Sequence, residues 1–438
     1  MPEKAHAKSA LTQAQELLLK SQTISQDGPG SVLRDFETMR EFIGREATPA
    51  AGKFGTLPIG LLSHLNGMMT QPFNVNLGRP QFRSFPNLQG LFLLLRATSM
   101  VVDRPGSGKS SDVRLAINPE IARSWDQLNP TERYFTLLEA WLLYGTEQMV
   151  GDDRGGGSFA FDVLRKWESV EEQGRQISTN PNNRSWLLYD PYHTALMGLF
   201  GWAEIEQAPP HQKQVWTPRR ITPTPFGDAL AALIGSQLRD YSAVAMFWSP
   251  RSPTATFGTW QQLFRPYFPE WKHNLTQLKA PRIDGVFIVK VSLGKVWRQL
   301  AVPSRANLDQ MVCAILRAFR FDNDHLYSVS VKQPNGSSVE YSHPFSEQQP
   351  ATTEARFERL PLQPGSKMKL VYDFGDWWEF DILVERIDPP GSTLKAPKLL
   401  AEFGKPPPQY GDEYEDDEEQ EADDAQADND GDEAQADE

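Results

Sequence analysis

Two short stretches in the C-terminal third of the chain bring together side chains that can bind a metal or move a proton. The first holds Asp322, Asp324 and His325, and the second, Tyr372–Phe380, alternates acidic residues with large aromatic ones. Carboxylates and imidazoles are the usual ligands of catalytic metals and the usual general acids and bases, and a metal site needs about three or four such groups. The candidate metal ligands in this pattern are His325, Asp373 and Asp376.

A single histidine gives this chemistry little support. His325 is the one imidazole in the two stretches, and a histidine of this kind is more often a hydrogen-bonding or structural residue. Our interpretation therefore favours no metal and no cofactor, and a metal-dependent enzyme is the alternative.

The aromatic residues of the second stretch indicate binding of a partner rather than metal or proton chemistry. If a strand begins early here, Trp377 and Trp378 lie on its opposite faces, because side chains alternate across a strand. One tryptophan would then be exposed beside acidic groups, which is typical of a docking surface for a protein or a basic peptide. Gly375 is expected to allow an unusual backbone angle in the turn, and Arg298 is expected to join the aspartates and aromatics in a polar network.

The elements that position these residues change character near residue 280. β-type runs at Val286–Val291 and Val296–Pro303 precede a helix that Asn307 caps and whose apolar residues follow helical spacing. Further strands are expected around Tyr327–Lys332, Met368–Phe374 and Glu379–Ile387. The order is two strands, one helix and a β-rich half, which predicts an α+β domain.

Residues 284–390, about a quarter of the chain, resemble the plasmid pRiA4b Orf-three-like family. The resemblance implies an α+β domain that also occurs in passenger proteins of mobile elements and that has no settled biochemical activity. The residues that match the family's motifs in the expected order are Trp297, Arg298, Asp322, Asp324, His325, Tyr372, Asp373, Phe374, Gly375, Asp376, Trp378 and Glu379.

The chain departs from this family where other members carry polar groups. Tyr327 stands where a second histidine is common, and Trp377 and Phe380 stand where aspartate and histidine are common. The cysteine-containing segment that often follows is absent from this sequence. These exchanges favour packing or docking over catalysis in this stretch, with Trp377 and Trp378 as the candidate docking residues.

A loop in the N-terminal half resembles a phosphate-binding Walker A loop. Such a loop surrounds phosphate with glycine N–H groups and uses a lysine and a serine for the terminal phosphates and magnesium. Here Asp103 replaces the first glycine, and Val113–Ile117 has a strand pattern where a helix is required. We interpret Gly106–Ser110 as the tip of a hairpin, with nucleotide binding through Lys109 as the alternative.

The first 280 residues are predicted to be mainly helical. Helix, hairpin and helix follow one another twice, near residues 86–144 and 191–234, which is the order of winged-helix DNA-binding modules. The basic residues of these units are scattered, so ordinary helical packing is the favoured interpretation. The predicted segments are a flexible 1–30, a helical domain with a hairpin at 31–150, a second helical, winged-helix-like region at 151–280, the α+β domain at 281–395, and a linker with a tail at 396–438.

The acidic charge of the chain is concentrated at its C-terminus. Residues 412–438 hold 16 Asp and Glu and no Lys or Arg, so the formal net charge of -13 becomes +3 for the remainder, with 44 basic against 41 acidic residues. A segment of such charge density with so few apolar residues is predicted to be disordered. It serves either as a solubilising extension, which we favour, or as a mimic of DNA or a recruiter of a basic partner.

Cysteine content and hydropathy favour a cytoplasmic protein. Cys313 is the single cysteine, which excludes an intrachain disulfide or a cysteine metal cluster and suits a reducing compartment. The N-terminus has no apolar run like that of a signal peptide, and Leu91–Val102 is too short to span a membrane. We expect a binding or adaptor protein with a protein partner, with nucleic acid as a second class of partner and no membrane association. The resemblance alone adds a link to plasmid or mobile-element DNA.

Overall fold

The computed structural model describes residues 11–45, 48–106, 113–151, 159–170, 174–176, 190–209, 215–240, 256–276, 282–346, 348, 350–390 and 394–410. This part of the chain combines helices with antiparallel sheets, so the predicted α+β fold class is confirmed. The acidic tail predicted at 412–438 lies outside the described residues. Within the described ranges, no helix combines the length and the apolar character needed to cross a membrane.

The helices lie mainly before residue 280. Their bounds are α1 Gln13–Ser21, α2 Val32–Arg45, α3 Ile59–Met68, α4 Pro86–Ala97, α5 Pro119–Asp126, α6 Pro130–Glu139, α7 Phe159–Glu168, α8 Pro191–Leu199, α9 Pro225–Asp240, α10 Gln261–Phe264 and α11 Leu308–Phe319. A π-helical turn, Ala140–Tyr144, continues α6, and short 3-10 turns occupy Phe82–Ser84, Glu147–Val150 and Phe357–Arg359.

Helices α4 and α6 form where the sequence predicts them. Every residue of α4 is buried, as expected for a helix that is apolar nearly all round, and Pro86 occupies its first turn. Helix α6 begins at a capping box. The Asn129 side chain accepts a hydrogen bond from the Glu132 N–H, and the Glu132 carboxylate accepts one from the Asn129 N–H.

One hydrophobic core draws its buried residues from Leu11 to Leu275. Part of this core is aromatic, since Phe135 of α6 stacks on Trp271 with ring centroids 4.6 Å apart and an interplanar angle of 3°. The aromatic segment that follows residue 256 therefore packs inside the protein. The predicted domain boundary at residue 150 stays a prediction.

Antiparallel hairpins interrupt these helices. Strand β1, Val101–Pro105, pairs with β2, Val113–Ile117. Strand β5, Pro218–Pro223, pairs with β4, Ala203–Gln207, and with the two-residue β3, Arg175–Gln176. The segment after the Gly-Ser loop is thus the strand that the sequence predicts, and a Walker A loop requires a helix there.

The C-terminal domain is built on a seven-stranded antiparallel sheet. Its strands are β6 Val286–Leu293, β7 Val296–Pro303, β8 Tyr327–Lys332, β9 Ser338–Ser342, β10 Lys367–Tyr372, β11 Trp378–Asp388 and β12 Lys398–Phe403. Their order across the sheet is β12-β7-β6-β11-β10-β8-β9. Alternate residues of β6, among them Phe287, Val289 and Val291, are buried in one core with the apolar face of α11.

The two regions meet where Arg96 of α4 and Asp103 of β1 contact the turn between β8 and β9. The Asp103 N–H donates to the Pro334 carbonyl over 2.8 Å, and Lys332 Nζ lies 3.2 Å from the Asp103 carboxylate. Arg96 is fully buried, with Nη2 2.6 Å from Asp103 Oδ1 and 2.7 Å from the Gly55 carbonyl oxygen. Asp103 therefore helps to join the two regions of the chain.

Candidate functional site

The buried phenol of Tyr372, the last residue of β10, holds the loop that carries the first acidic stretch. Its oxygen accepts hydrogen bonds from the N–H groups of Asp324 and His325, both at 3.3 Å. Its hydroxyl donates to the Asp322 carbonyl over 2.6 Å. Burial raises the pKa of Tyr372, so the phenol keeps its proton at neutral pH. The two stretches singled out in the sequence are thereby brought together.

His325 lies between two carboxylates. Its Nε2 atom is 3.4 Å from Asp373 Oδ2 and 3.7 Å from Asp324 Oδ1. Both carboxylates have further partners, because Asp373 Oδ1 accepts from the Gly375 N–H over 2.8 Å and Asp324 Oδ1 lies 3.0 Å from the Tyr372 hydroxyl. Hydrogen bonds of Tyr372 and Asp373, together with the close approach of His325 to both carboxylates, form a polar network that holds two loops against each other.

Two of the three candidate metal ligands approach each other in this network, His325 and Asp373. The third, Asp376, is exposed in the turn between β10 and β11. Among the described residues, no group of three or more His, Cys, Asp or Glu side chains is arranged to hold a metal ion. His325 and Asp373 alone supply fewer ligands than a metal site ordinarily uses.

The turn between β10 and β11 has an unusual backbone at two residues, Asp373 and Trp377, whose φ angles are 56° and 57°. The Trp377 N–H donates to the Asp373 carbonyl over 2.7 Å. The expectation that Gly375 supplies the unusual angle is wrong, because its φ is outside the left-handed region. The hydrogen bond from the Gly375 N–H to the Asp373 carboxylate helps to shape the turn instead.

The two tryptophans of this turn have different surroundings. Trp377 is 56% exposed, and its indole N–H donates to Glu379 Oε1 over 3.2 Å. Trp378 opens β11 and packs against Phe321, with ring centroids 5.2 Å apart. Of the two candidate docking residues, Trp377 is the one that presents its ring to solvent.

Exposed acidic and aromatic side chains surround Trp377. Phe374 is 49% exposed, and its ring centroid lies 6.1 Å from that of Trp377. Glu379 is exposed too, and hydrogen bonds from Lys369 and from Trp377 lower its pKa, so it is ionised at neutral pH. We call the surface formed by Phe374, Asp376, Trp377 and Glu379 the acid–aromatic turn.

Arg298 does not join the aspartates as expected. Its guanidinium donates to the carbonyl oxygens of Ala318 at 2.9 Å, Phe403 at 3.1 Å and Gly404 at 3.2 Å. The same group lies 4.8 Å from the ring centroid of Phe319. Arg298 therefore ties the end of α11 to the end of β12.

The Gly-Ser loop falls largely outside the described residues. Gly106 is described and Lys109 is not, so nucleotide binding through Lys109 stays a prediction. The Asp103 carboxylate, which stands where a Walker A loop has its first glycine, binds Arg96 and Lys332 and so has a structural role at the base of the loop.

Sequence reasoning missed two residues of the site, Gln409 and Tyr410, which were assigned to a linker. The Gln409 side chain accepts from the Asp322 N–H over 2.5 Å and donates to Asp324 Oδ1 over 3.3 Å. The Tyr410 hydroxyl donates to Asp324 Oδ2 over 2.7 Å. The Pro406–Pro408 run before them indicates an extended segment, and no local pattern indicates a contact with a loop 85 positions earlier.

Comparison with known proteins supports the family resemblance of this domain. Residues 286–433 match the family model described as Plasmid pRiA4b ORF-3-like protein, and the match extends past the predicted end near residue 390 to include Gln409 and Tyr410. A crystal structure of a protein of unknown function, MM3350 from Methanosarcina mazei Go1, is 19% identical over 29% of this chain and 74% of that chain, with a TM-score of 0.27. No curated protein matches the chain.

Proposed function

We propose that this chain is a binding or adaptor protein whose C-terminal domain docks a protein partner on the acid–aromatic turn. The observation that carries the proposal is Trp377, a large aromatic residue that is 56% exposed and has a backbone φ of 57°. A non-glycine residue at positive φ costs about 1–3 kcal/mol, and such residues concentrate at functional sites. Burying an exposed tryptophan against a partner is a common source of binding energy.

The charges around Trp377 favour a basic partner. Glu379 accepts a hydrogen bond from the indole N–H of Trp377, and the exposed Asp376 directly precedes Trp377 in the turn. Carboxylates attract lysine and arginine, and an arginine guanidinium also stacks well on an indole. An arginine-rich segment can pair with the carboxylates of this surface and stack on Trp377, and an apolar residue in the same segment can pack against Phe374.

An association with plasmid or mobile-element DNA extends this proposal. The family's name supports it, and the two helix, hairpin and helix units have the order of winged-helix modules. In the version we favour, the link to DNA passes through the basic partner, because basic segments often belong to nucleic-acid-binding proteins. The single cysteine, Cys313, supports action in a reducing compartment such as the cytoplasm.

Affinity capture from the native host, with and without nuclease, tests the proposal. The Trp377→Ala variant is expected to recover about tenfold less partner per folded protein than the wild type, because the anchor ring is lost. The matched control is Phe345→Ala, which removes a ring that is 90% exposed elsewhere in the same domain. Equal recovery by both variants, with unchanged melting temperatures, would contradict the proposal.

A further inference from the structure

A short segment after β12 lies across the polar network of the site. We call residues 404–410 the C-terminal strap. At one end Arg298 donates to the carbonyl oxygens of Phe403 and Gly404, and at the other end Gln409 and Tyr410 reach the loop after α11. The strap therefore connects the edge of the sheet with the motif residues of the domain.

The side-chain amide of Gln409 makes specific polar contacts with Asp322, Asp324 and Tyr372. The residue is 7% exposed, and its amide oxygen accepts from the Asp322 N–H. Its amide nitrogen lies 3.3 Å from Asp324 Oδ1 and 3.5 Å from the Tyr372 hydroxyl. A primary amide offers an acceptor and two donors, and here both kinds of group are used in one buried position.

Tyr410 adds a charge-assisted hydrogen bond to the same carboxylate. Its hydroxyl donates to Asp324 Oδ2 over 2.7 Å, and the residue as a whole is 48% exposed. This hydrogen bond raises the pKa of Tyr410 to about 12 and is the main reason why the pKa of Asp324 is lowered. The phenol donor and the carboxylate acceptor therefore keep the same protonation states across the physiological pH range.

The strap is attached by polar groups rather than by the core. Within the described chain, the hydrophobic core of the C-terminal domain includes no residue from 404 to 410. Segments with few apolar contacts open at low free energy compared with the core. Release of the strap would uncover Asp324, Tyr372 and the Asp322 N–H without unfolding the sheet.

We propose that the pocket formed by Asp322, Asp324 and Tyr372 is a peptide-binding site for a proline-rich segment that ends in Gln-Tyr, and that the strap fills it in cis. Pro406, Pro407 and Pro408 restrict the backbone to extended conformations, which lowers the entropy lost when the segment docks. The site can exchange its own strap for an equivalent segment of a partner. This inference concerns a pocket separate from the acid–aromatic turn, so the two proposals can fail independently.

A peptide with the sequence of residues 404–410 tests the inference by calorimetric titration into full-length protein. The Gln409→Ala/Tyr410→Ala variant loses the side chains that fill the pocket, so we expect saturable binding with one peptide per chain. Binding to the wild type is expected to be at least about tenfold weaker, because its own strap occupies the site. Scrambled peptide, and peptide with alanine for the glutamine, are the matched controls and should bind at least about tenfold more weakly to the variant.

Hydrogen exchange in the full-length protein gives a second measurement. The Asp322 amide is expected to exchange at least about tenfold faster in Gln409→Ala than in the wild type, because the Gln409 oxygen is its acceptor. Absence of saturable peptide binding to the folded double variant, or equal affinity of the wild type and the variant, would overturn the inference. Unchanged exchange at Asp322 in Gln409→Ala would overturn it even if the double variant did not fold.

Discussion

Asp373 and Trp377 share a left-handed backbone, with φ of 56° and 57°, and the Trp377 N–H donates to the Asp373 carbonyl over 2.7 Å. This hydrogen bond closes the turn beyond the last paired residues of the hairpin, Tyr372 and Trp378. The position of the exposed indole is therefore set by the backbone. Because the backbone that carries Trp377 is already ordered, less conformational entropy is lost when a partner binds the ring.

The energetic cost of the left-handed backbone at Trp377 can be measured by comparing two variants that both lack the indole ring. Trp377→Gly is expected to have a free energy of unfolding about 1 kcal/mol higher than Trp377→Ala, because glycine adopts positive φ without the steric cost of a β-carbon. Urea denaturation measures the difference. At Phe374, which does not have a positive φ, the order should reverse. Alanine at least as stable as glycine at position 377 would contradict this description of the turn.

The hydroxyl of Tyr372 should contribute more to the free energy of unfolding than the hydroxyl of Tyr341, another buried tyrosine. Tyr372→Phe leaves the N–H groups of Asp324 and His325 without their acceptor, and we expect a loss of about 1–3 kcal/mol in the free energy of unfolding. Tyr341→Phe is the control, because Tyr341 is 5% exposed and no hydrogen bond of its hydroxyl is seen among the described residues. Equal losses in the two variants would show that the phenol does not hold the loop.

The buried carboxyl of Glu139 should make the stability of the N-terminal core depend on pH. Its carboxylate accepts from the N–H groups of Gly258 at 2.6 Å and Trp260 at 2.7 Å, and burial raises its pKa to about 7. Because this value is above that of the unfolded chain, the folded protein binds more protons between about pH 4.5 and pH 7. Its contribution to stability is complete below about pH 4.5 and declines as the pH rises to about 7.

Measurement of unfolding free energy against pH for the wild type and Glu139→Gln isolates this effect. The variant should lack the part of the decline due to Glu139, which is of order 3 kcal/mol for such a shift in pKa. Parallel curves for the two proteins would contradict the assignment.

The contact between the two regions should depend on Arg96 far more than on Lys332. Arg96 is fully buried between Asp103 and Gly55, whereas the Lys332 side chain is 39% exposed beside the same aspartate. Arg96→Met removes the buried cation beside Asp103 and the donor to the Gly55 carbonyl, and the partly exposed Lys332 is the cation that remains at this carboxylate. This variant should cost about 3 kcal/mol, while Lys332→Met should cost about 1 kcal/mol or less. Chemical denaturation of both variants measures the two losses, and a similar small loss in both would refute the distinction.

Local signals in the sequence predict the elements of the C-terminal domain well. The β-type run Val286–Val291 and the Asn307 cap depend on residues within one strand or one helical turn, and both appear in the structure as predicted. The role of Gly375 was predicted wrongly, because the neighbouring Asp373 side chain shapes the turn and no glycine signal reports that contact. The partners of Arg298 lie up to 106 positions away, and no local pattern could identify them.

Docking of a basic partner on Trp377 is tested most directly by the affinity of an arginine-rich peptide for full-length protein. At physiological salt, we expect Trp377→Ala to weaken binding about tenfold or more and Phe345→Ala to leave it unchanged within about twofold. The acidic tail is the same in all three proteins, so the difference reports the contribution of Trp377. Equal affinities of wild type and folded Trp377→Ala would contradict the claim.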